Sequence, residues 1–213
     1  MRDQFQFDSD GLPPEEAYDA YRRLYGGGSD VSRSAGAFRA RVHGVRLDSV
    51  LLFERELNGV VHARAERVDD DGFDHFALHL VLAGELVGGP ESRFERATAN
   101  DLVLVDTRRS SRTEARGLHV LTASMAREVV EAAAGHTEPL HGRVVSAPDT
   151  VVLRDLMLSI IRNAAHLPAE ALPGVTRALI ELLAATLNSG ASPAAASRRV
   201  EFARREAAVR HIV

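Results

Sequence analysis

The sequence predicts an α+β fold, an antiparallel β-barrel or sandwich followed by a helical segment. Two observations carry this. Residues 36–122 hold many short runs of strand-forming residues separated by turn clusters. Residues 124–187 change to apolar spacings of three and four, the period of helices. The 45% hydrophobic content is ordinary for a chain with a real core, and no internal repeat is visible.

The first ten residues are polar and contain no signal-peptide core. Residues 14–25 read as a helix with Tyr18, Tyr21 and Tyr25 on one face, and these are the only tyrosines in the chain. That face is expected to pack on a sheet. Gly26, Gly27 and Gly28 end the helix. No Gly-Lys-Ser/Thr follows, so they form no phosphate loop.

Strands are expected at Phe38–Val42, Val50–Glu54, Val60–Val68, His75–Leu82 and Leu102–Val105. Turns separate them at Asn58-Gly59, at the acidic run Asp69-Asp70-Asp71-Gly72, at Gly88-Gly89-Pro90 and at Asn100-Asp101. Strand 60–68 alternates, with Val61, Ala63 and Ala65 on one face and His62, Arg64 and Glu66 on the other.

The helical half begins with Ser124 as a candidate N-cap of a helix reaching Ala134. Val151–Leu167 is strongly apolar at helical spacing, and Pro168 and Pro173 interrupt. Leu172, Val175, Leu179, Leu182 and Thr186 then form a heptad-like seam. Such a seam either meets a second copy of the chain or packs on the chain's own helix 151–167. Residues 188–197, rich in Ser, Ala, Gly and Pro, read as a linker, and another helix opens after Ser197. The last sixteen positions hold five arginines against two glutamates, a basic tail on an acidic body.

Composition excludes several chemistries. Cysteine is absent, so there is no disulfide framework and no thiolate metal site. All 26 basic residues are arginine, which excludes a Schiff-base lysine. The net charge of −4 argues against general nucleic-acid binding by the chain as a whole. No apolar run approaches the roughly 20 residues of a membrane span, so a cytoplasmic location is expected, with no membrane partner.

Metal and nucleophile signatures fail on spacing. His75 and His79 share a strand face but stand roughly 13 Å apart, too far to bind one ion together. His62 lacks a second histidine two residues on, since position 64 is arginine. The acidic turn at 69–72 lacks the alternation of a calcium loop, and no serine sits in Gly-x-Ser-x-Gly. No metal, no cofactor and no catalytic residue is expected, and the chain is not read as an enzyme.

Several stretches carry a family resemblance. They are Leu12-Pro13-Pro14-Glu15 leading into the tyrosine helix, Phe38-Arg39-Ala40-Arg41 and His62-Ala63-Arg64. They continue through 71–78 (Asp-Gly-Phe-Asp-His-Phe-Ala-Leu) with Gly84, and through 100–106 (Asn-Asp-Leu-Val-Leu-Val-Asp). In this order the chain resembles the AraC-type transcription regulators that carry a cupin-like sensor barrel. The resemblance implies a cupin-like barrel with its leading helix over 1–122 and a helical dimerisation segment over 123–187. Residues 188–213 would then be a linker and the start of an incomplete DNA-binding domain. Two helix-turn-helix units need roughly 100 residues, and only sixteen follow Ser197. A second departure is Asn100, where the family often has glycine.

The resemblance also implies an effector sensor that forms a homodimer and reaches DNA only through a helix-turn-helix domain absent from this chain. The alternative is a cupin-type metal-dependent enzyme. Candidate effector-binding residues are His62, Arg64, Glu66 and His79, with Arg64 the best anchor for an anion if the polar face of strand 60–68 points inward. If it points outward, these residues are a solvated strand surface. Candidate dimerisation residues are Leu172, Val175, Leu179 and Leu182.

Overall fold

The structure, a computed structural model, describes residues 4–26, 28–65, 74–89, 95–135 and 137–189. Glu66, the acidic turn at 69–72 and the tail from residue 190, with its linker and basic cluster, lie outside the described residues.

The elements run β1 (Gln4–Asp8), α1 (Pro14–Tyr25), β2 (Asp30–Arg33), β3 (Arg39–Leu47), β4 (Val50–Asn58) and β5 (Val60–Arg64). Then come β6 (His75–Gly89), β7 (Glu95–Ala97), β8 (Leu102–Asp106), β9 (Ser111–Ala126), α2 (Arg127–Ala134), β10 (Val144–Val145), α3 (Val151–Asn163) and α4 (Leu172–Ser189). All strand pairings between these elements are antiparallel. Strands stand at each expected place, β5 reaching Arg64 with residues 66–68 of the expected 60–68 outside the described residues, and β3, β4 and β6 run longer than their apolar cores suggest.

The long strand β9 organises the sheet. Its first half pairs with β5, its second half with β4, and β6 runs along its other side from His75↔Ala126 to Gly89↔Arg112. Sequence gives β9 little signal, because Gly117 breaks it and serine, threonine and arginine fill its first half. Instead Ser124 suggests a helix cap. It lies in β9, paired to Leu51 and Ala77, and the helix starts only at Arg127. The expected boundary at 122/123 therefore falls inside a strand, and α4 continues to Ser189 rather than ending at 187.

Two glycines let the paired strands bend. The β6–β9 register slips between Val81 and Glu85, and Gly84 there has φ +72°. A Cβ at Gly84 would collide with the Gly117 carbonyl oxygen. A bulge at this point re-aims both strands and wraps the sheet into a barrel.

The two faces of the sheet do different work. One face of β4, β6, β8 and β9, with Leu52, Leu78, Leu80, Leu102, Leu121, Ala123 and Met125, forms one core with the helices. The helices contribute Val130 from α2, Leu153, Met157 and Ile160 from α3, and Leu179, Leu183 and Leu187 from α4. Burying side chains of this size contributes about 1.5–3 kcal/mol each. Polar pins fix the helices further. Thr150 Oγ1 donates to the Asn100 carbonyl (2.6 Å), Arg154 Nη1 donates to Asn100 Oδ1 (2.6 Å), and Thr176 Oγ1 donates to the Leu47 carbonyl (3.2 Å). Asn100 sits at φ +68°, a turn conformation that asparagine tolerates.

Leu179 is therefore fully buried in the protomer's own core and offers no surface to a second copy. The packed stripe of α4 is Thr176, Leu179, Leu183 and Leu187, while Leu172, Val175 and Leu182 are half-buried against the same core. Among the described residues no helix is long and apolar enough to cross a membrane.

Candidate functional site

The other face of the sheet encloses a cavity of about 390 Å³. Alternation in β4 sends Leu51, Phe53, Arg55 and Leu57 into it. β6 supplies Ala77 and His79, β9 supplies Leu118, Thr122 and Ser124, β5 supplies His62 and Arg64, and α1 supplies Leu24 and Tyr25. The tyrosine face of α1 packs into this interior, where Tyr21 lies 5.4 Å from Phe38 and 5.8 Å from His62 between ring centroids. Among the described residues the lining contains two arginines and no carboxylate.

The pattern expected of strand 60–68 is thus resolved toward the interior for His62 and Arg64. Arg64, however, is already engaged. Its Nε donates to the Thr107 carbonyl (2.6 Å), its Nη1 makes a short hydrogen bond to the Gly28 carbonyl, and the residue is 4% exposed. Both carbonyls close irregular backbone around the cavity, so Arg64 acts as a clamp on the wall. This corrects the expectation of Arg64 as the anion anchor.

Arg55 is the group that sequence reasoning missed. It is 7% exposed, and its Nη2 donates to Thr122 Oγ1 at 2.6 Å and lies 3.2 Å from His79 Nδ1. Its Nη1 reaches the Tyr25 hydroxyl only at 3.5 Å, and its Nε has no partner. No carboxylate pairs with it among the described residues. A signal was available: positions 51, 53, 55 and 57 read Leu-Phe-Arg-Leu, a lone charge on the apolar face of a strand.

The register explains the cluster. Thr122 on β9 stands opposite both Phe53 and His79, and Arg55 stands opposite Val120, one step along the same face. Arg55 and His79, on the two strands flanking β9, therefore meet over Thr122. Burial and the neighbouring Arg55 charge push His62 down to about 3 and hold His79 well below the usual histidine range, so both rings are neutral. Burial raises the Tyr21 hydroxyl, which stays protonated and shares a hydrogen bond with His62 Nε2 (3.0 Å).

A guanidinium can only donate. A proton on His79 Nδ1 would therefore face Arg55 Nη2 donor to donor at 3.2 Å. Nδ1 accepts instead, with Thr122 Oγ1 also 3.0 Å away, and the ring's proton stands on Nε2. No group of three metal-ligating side chains comes together among the described residues.

No known family's sequence profile matches the chain, and no curated protein matches it. Solved structures do. The AraC-like transcriptional activator CuxR superposes with a TM-score of 0.78 over 88% of this chain and 70% of that one, at 18% identity. The chain has an α+β, cupin-like fold. Ectoine synthase from P. lautus (TM-score 0.35, 11% identity, 55% of this chain and 83% of that one) matches too loosely to add to this. So does a cupin-2 domain protein from Shewanella frigidimarina (TM-score 0.29, 12% identity, 38% and 74%). At these identities the likeness is one of fold.

Proposed function

We propose that this chain is the effector-sensing portion of a bacterial AraC-type transcription regulator, with the barrel cavity as its effector site. The observation that carries this is the cavity itself. Its apolar walls and small set of converging polar groups are the usual make-up of a small-molecule site, and the strands that line it also carry the helices. A ligand that shifts β4 or β9 acts directly on the floor of α2–α4, which is how effector binding would bias the pairing of subunits. The similarity of fold to CuxR over most of the chain supports the same reading.

In this proposal the protein is a homodimer. Leu172, Val175 and Leu182 retain some exposed surface for a subunit contact, and Leu179 does not. DNA is read by a helix-turn-helix domain carried outside residues 4–189.

The test is a thermal-shift screen of small metabolites against wild type and Ala77→Phe, which places a ring in the cavity. Compounds that stabilise wild type and lose their effect in the variant are expected. If every stabilising compound acts equally on both proteins, the cavity is not the effector site.

A further inference from the structure

Buried charge is the feature of this cavity that the sensor reading leaves unexplained. Two arginines line it, and they differ in kind. Arg64 holds two backbone carbonyls of the wall. Arg55 holds no backbone and no carboxylate among the described residues, and its partners are a threonine hydroxyl, a neutral histidine and a tyrosine hydroxyl at the limit of bonding distance. Its Nε–H is buried and unpartnered. An unpaired guanidinium this far from water is strongly disfavoured unless something completes it.

The groups around Arg55 show what would complete it. The Nε–H of Arg55 is enclosed by protein, and the guanidinium donor left for a ligand is Nη1, whose contact with the Tyr25 hydroxyl is 3.5 Å long. His79 is a second donor through Nε2, because its Nδ1 is taken by the Arg55–Thr122 pair, and Nε2 has no partner among the described residues. These are donors awaiting an acceptor with negative charge. Leu24, Leu57, Leu86, Val105 and Leu118 supply an apolar stretch of the wall, with the hydroxyl residues Ser111, Thr113 and Ser124 beside it.

We propose that the cavity binds a small organic anion, its carboxylate or phosphate head on Arg55 and His79 and its apolar body against the leucine wall. This rests on the reading of the cavity as an effector site and names the chemical class of the effector. With Arg64 also cationic in the lining, a head of one or two negative charges suits the cavity. A planar carboxylate also fits the fork of a guanidinium.

The test is calorimetric titration of wild type and Arg55→Met, in a buffer free of carboxylates. The probes are benzoate, phenylacetate and octanoate, each beside its primary amide, with phenyl phosphate as the dianionic arm. At least one acid or phenyl phosphate is expected to bind wild type. The matched amide should bind at least tenfold more weakly than its acid, and Arg55→Met should lose at least tenfold for the anion and markedly less for the amide.

Equal binding of acid and amide, or undiminished anion binding by Arg55→Met, overturns the proposal. If only the amides bind, and Ala77→Phe abolishes that binding, the anion proposal fails while the sensor reading stands. If no probe binds and the metabolite screen also finds nothing, both fail. Should Arg55→Met not fold, the acid-to-amide ratio on wild type decides alone: below tenfold it overturns the proposal.

Discussion

Replacing Arg55 by methionine should make the ligand-free protein more stable, an unusual expectation for the loss of a buried, hydrogen-bonded side chain. The guanidinium is 7% exposed and has no ion-pair partner among the described residues. Removing such an ion from water costs several kcal/mol. Against this stand one good hydrogen bond to Thr122 (2.6 Å) and a longer contact to His79 (3.2 Å), worth about 1.5–3 kcal/mol each at best. Methionine keeps the apolar stem, and Thr122 and His79 remain bonded to each other at 3.0 Å, so nothing is orphaned. The net gain is about 1–3 kcal/mol, or roughly 2–12 °C in melting temperature for a chain of this length.

Arg64→Met supplies the opposite case within the same cavity. It strips the donors from the carbonyls of Thr107 and Gly28, and two orphaned carbonyls cost about 2–5 kcal/mol. Calorimetric melts of the three proteins near pH 7.5 measure both effects. A fall of several degrees for Arg55→Met would show that the cation holds the fold together, and the reasoning that assigns it to a ligand would be wrong.

Three further outcomes are expected. Stability should fall with acid. The folded-state value of His62 is about 3 against 6.5 for a free histidine, so below pH 6.5 the unfolded chain takes up the proton first. Its contribution is complete above that pH and is lost progressively toward pH 3, amounting to about 2 kcal/mol between about pH 7.5 and pH 5. His79 acts in the same direction. Denaturant melts across this range check it, and a flat profile refutes it. Leu179→Ala should lower stability by about 2–5 kcal/mol through a core cavity, read by the same melts. Light scattering should show no change in mass while the protein remains folded, and a clean fold-preserving dissociation would return Leu179 to an interface. Gly84→Ala should largely abolish folding, because its φ of +72° and the facing Gly117 carbonyl leave no room for a Cβ; circular dichroism of the purified variant shows whether it does.

Much of the fold is legible in the sequence where one face of an element is wet. Helix α1 announces itself through three tyrosines at helical spacing, and β3, β4 and β6 through their strand-forming runs. Strand β9 does not. It is enclosed by β4, β5 and β6 on its two sides, and its pairing partners rather than its own residues hold it extended. The same blindness hides half of the site. His62, Arg64 and His79 are visible as polar residues on strands, but their worth depends on what stands across the barrel. Arg64 reads as the anchor because alternation cannot show that the carbonyls of Thr107 and Gly28 are waiting for it. Arg55 is overlooked because the apolar run of β4 weakens just before it, although Leu51, Phe53 and Leu57 mark its face as interior. On the α4 seam, Leu179 turns to the protomer's own core while Leu172, Val175 and Leu182 keep some exposed surface: one sequence cannot distinguish an apolar stripe that meets its own barrel from one that meets a twin.

The alternation in β4 has a consequence for how such a protein changes over generations. Leu51, Phe53, Arg55 and Leu57 face the cavity, while Val50 and Leu52, their immediate neighbours in sequence, face the helices. Chemical selectivity and structural integrity are interleaved letter by letter along one strand. If the cavity is the proposed effector site, point substitutions at the odd positions would retune which compound is welcomed without disturbing the packing of β4 on the helices. Insertion or deletion of a single residue has no such freedom. It would swing Glu54 and Glu56 into the cavity and exchange the two functions along the strand at once. Descendants of this chain should therefore diverge in what they sense through substitutions confined to alternate positions, with the length of β4 held fixed.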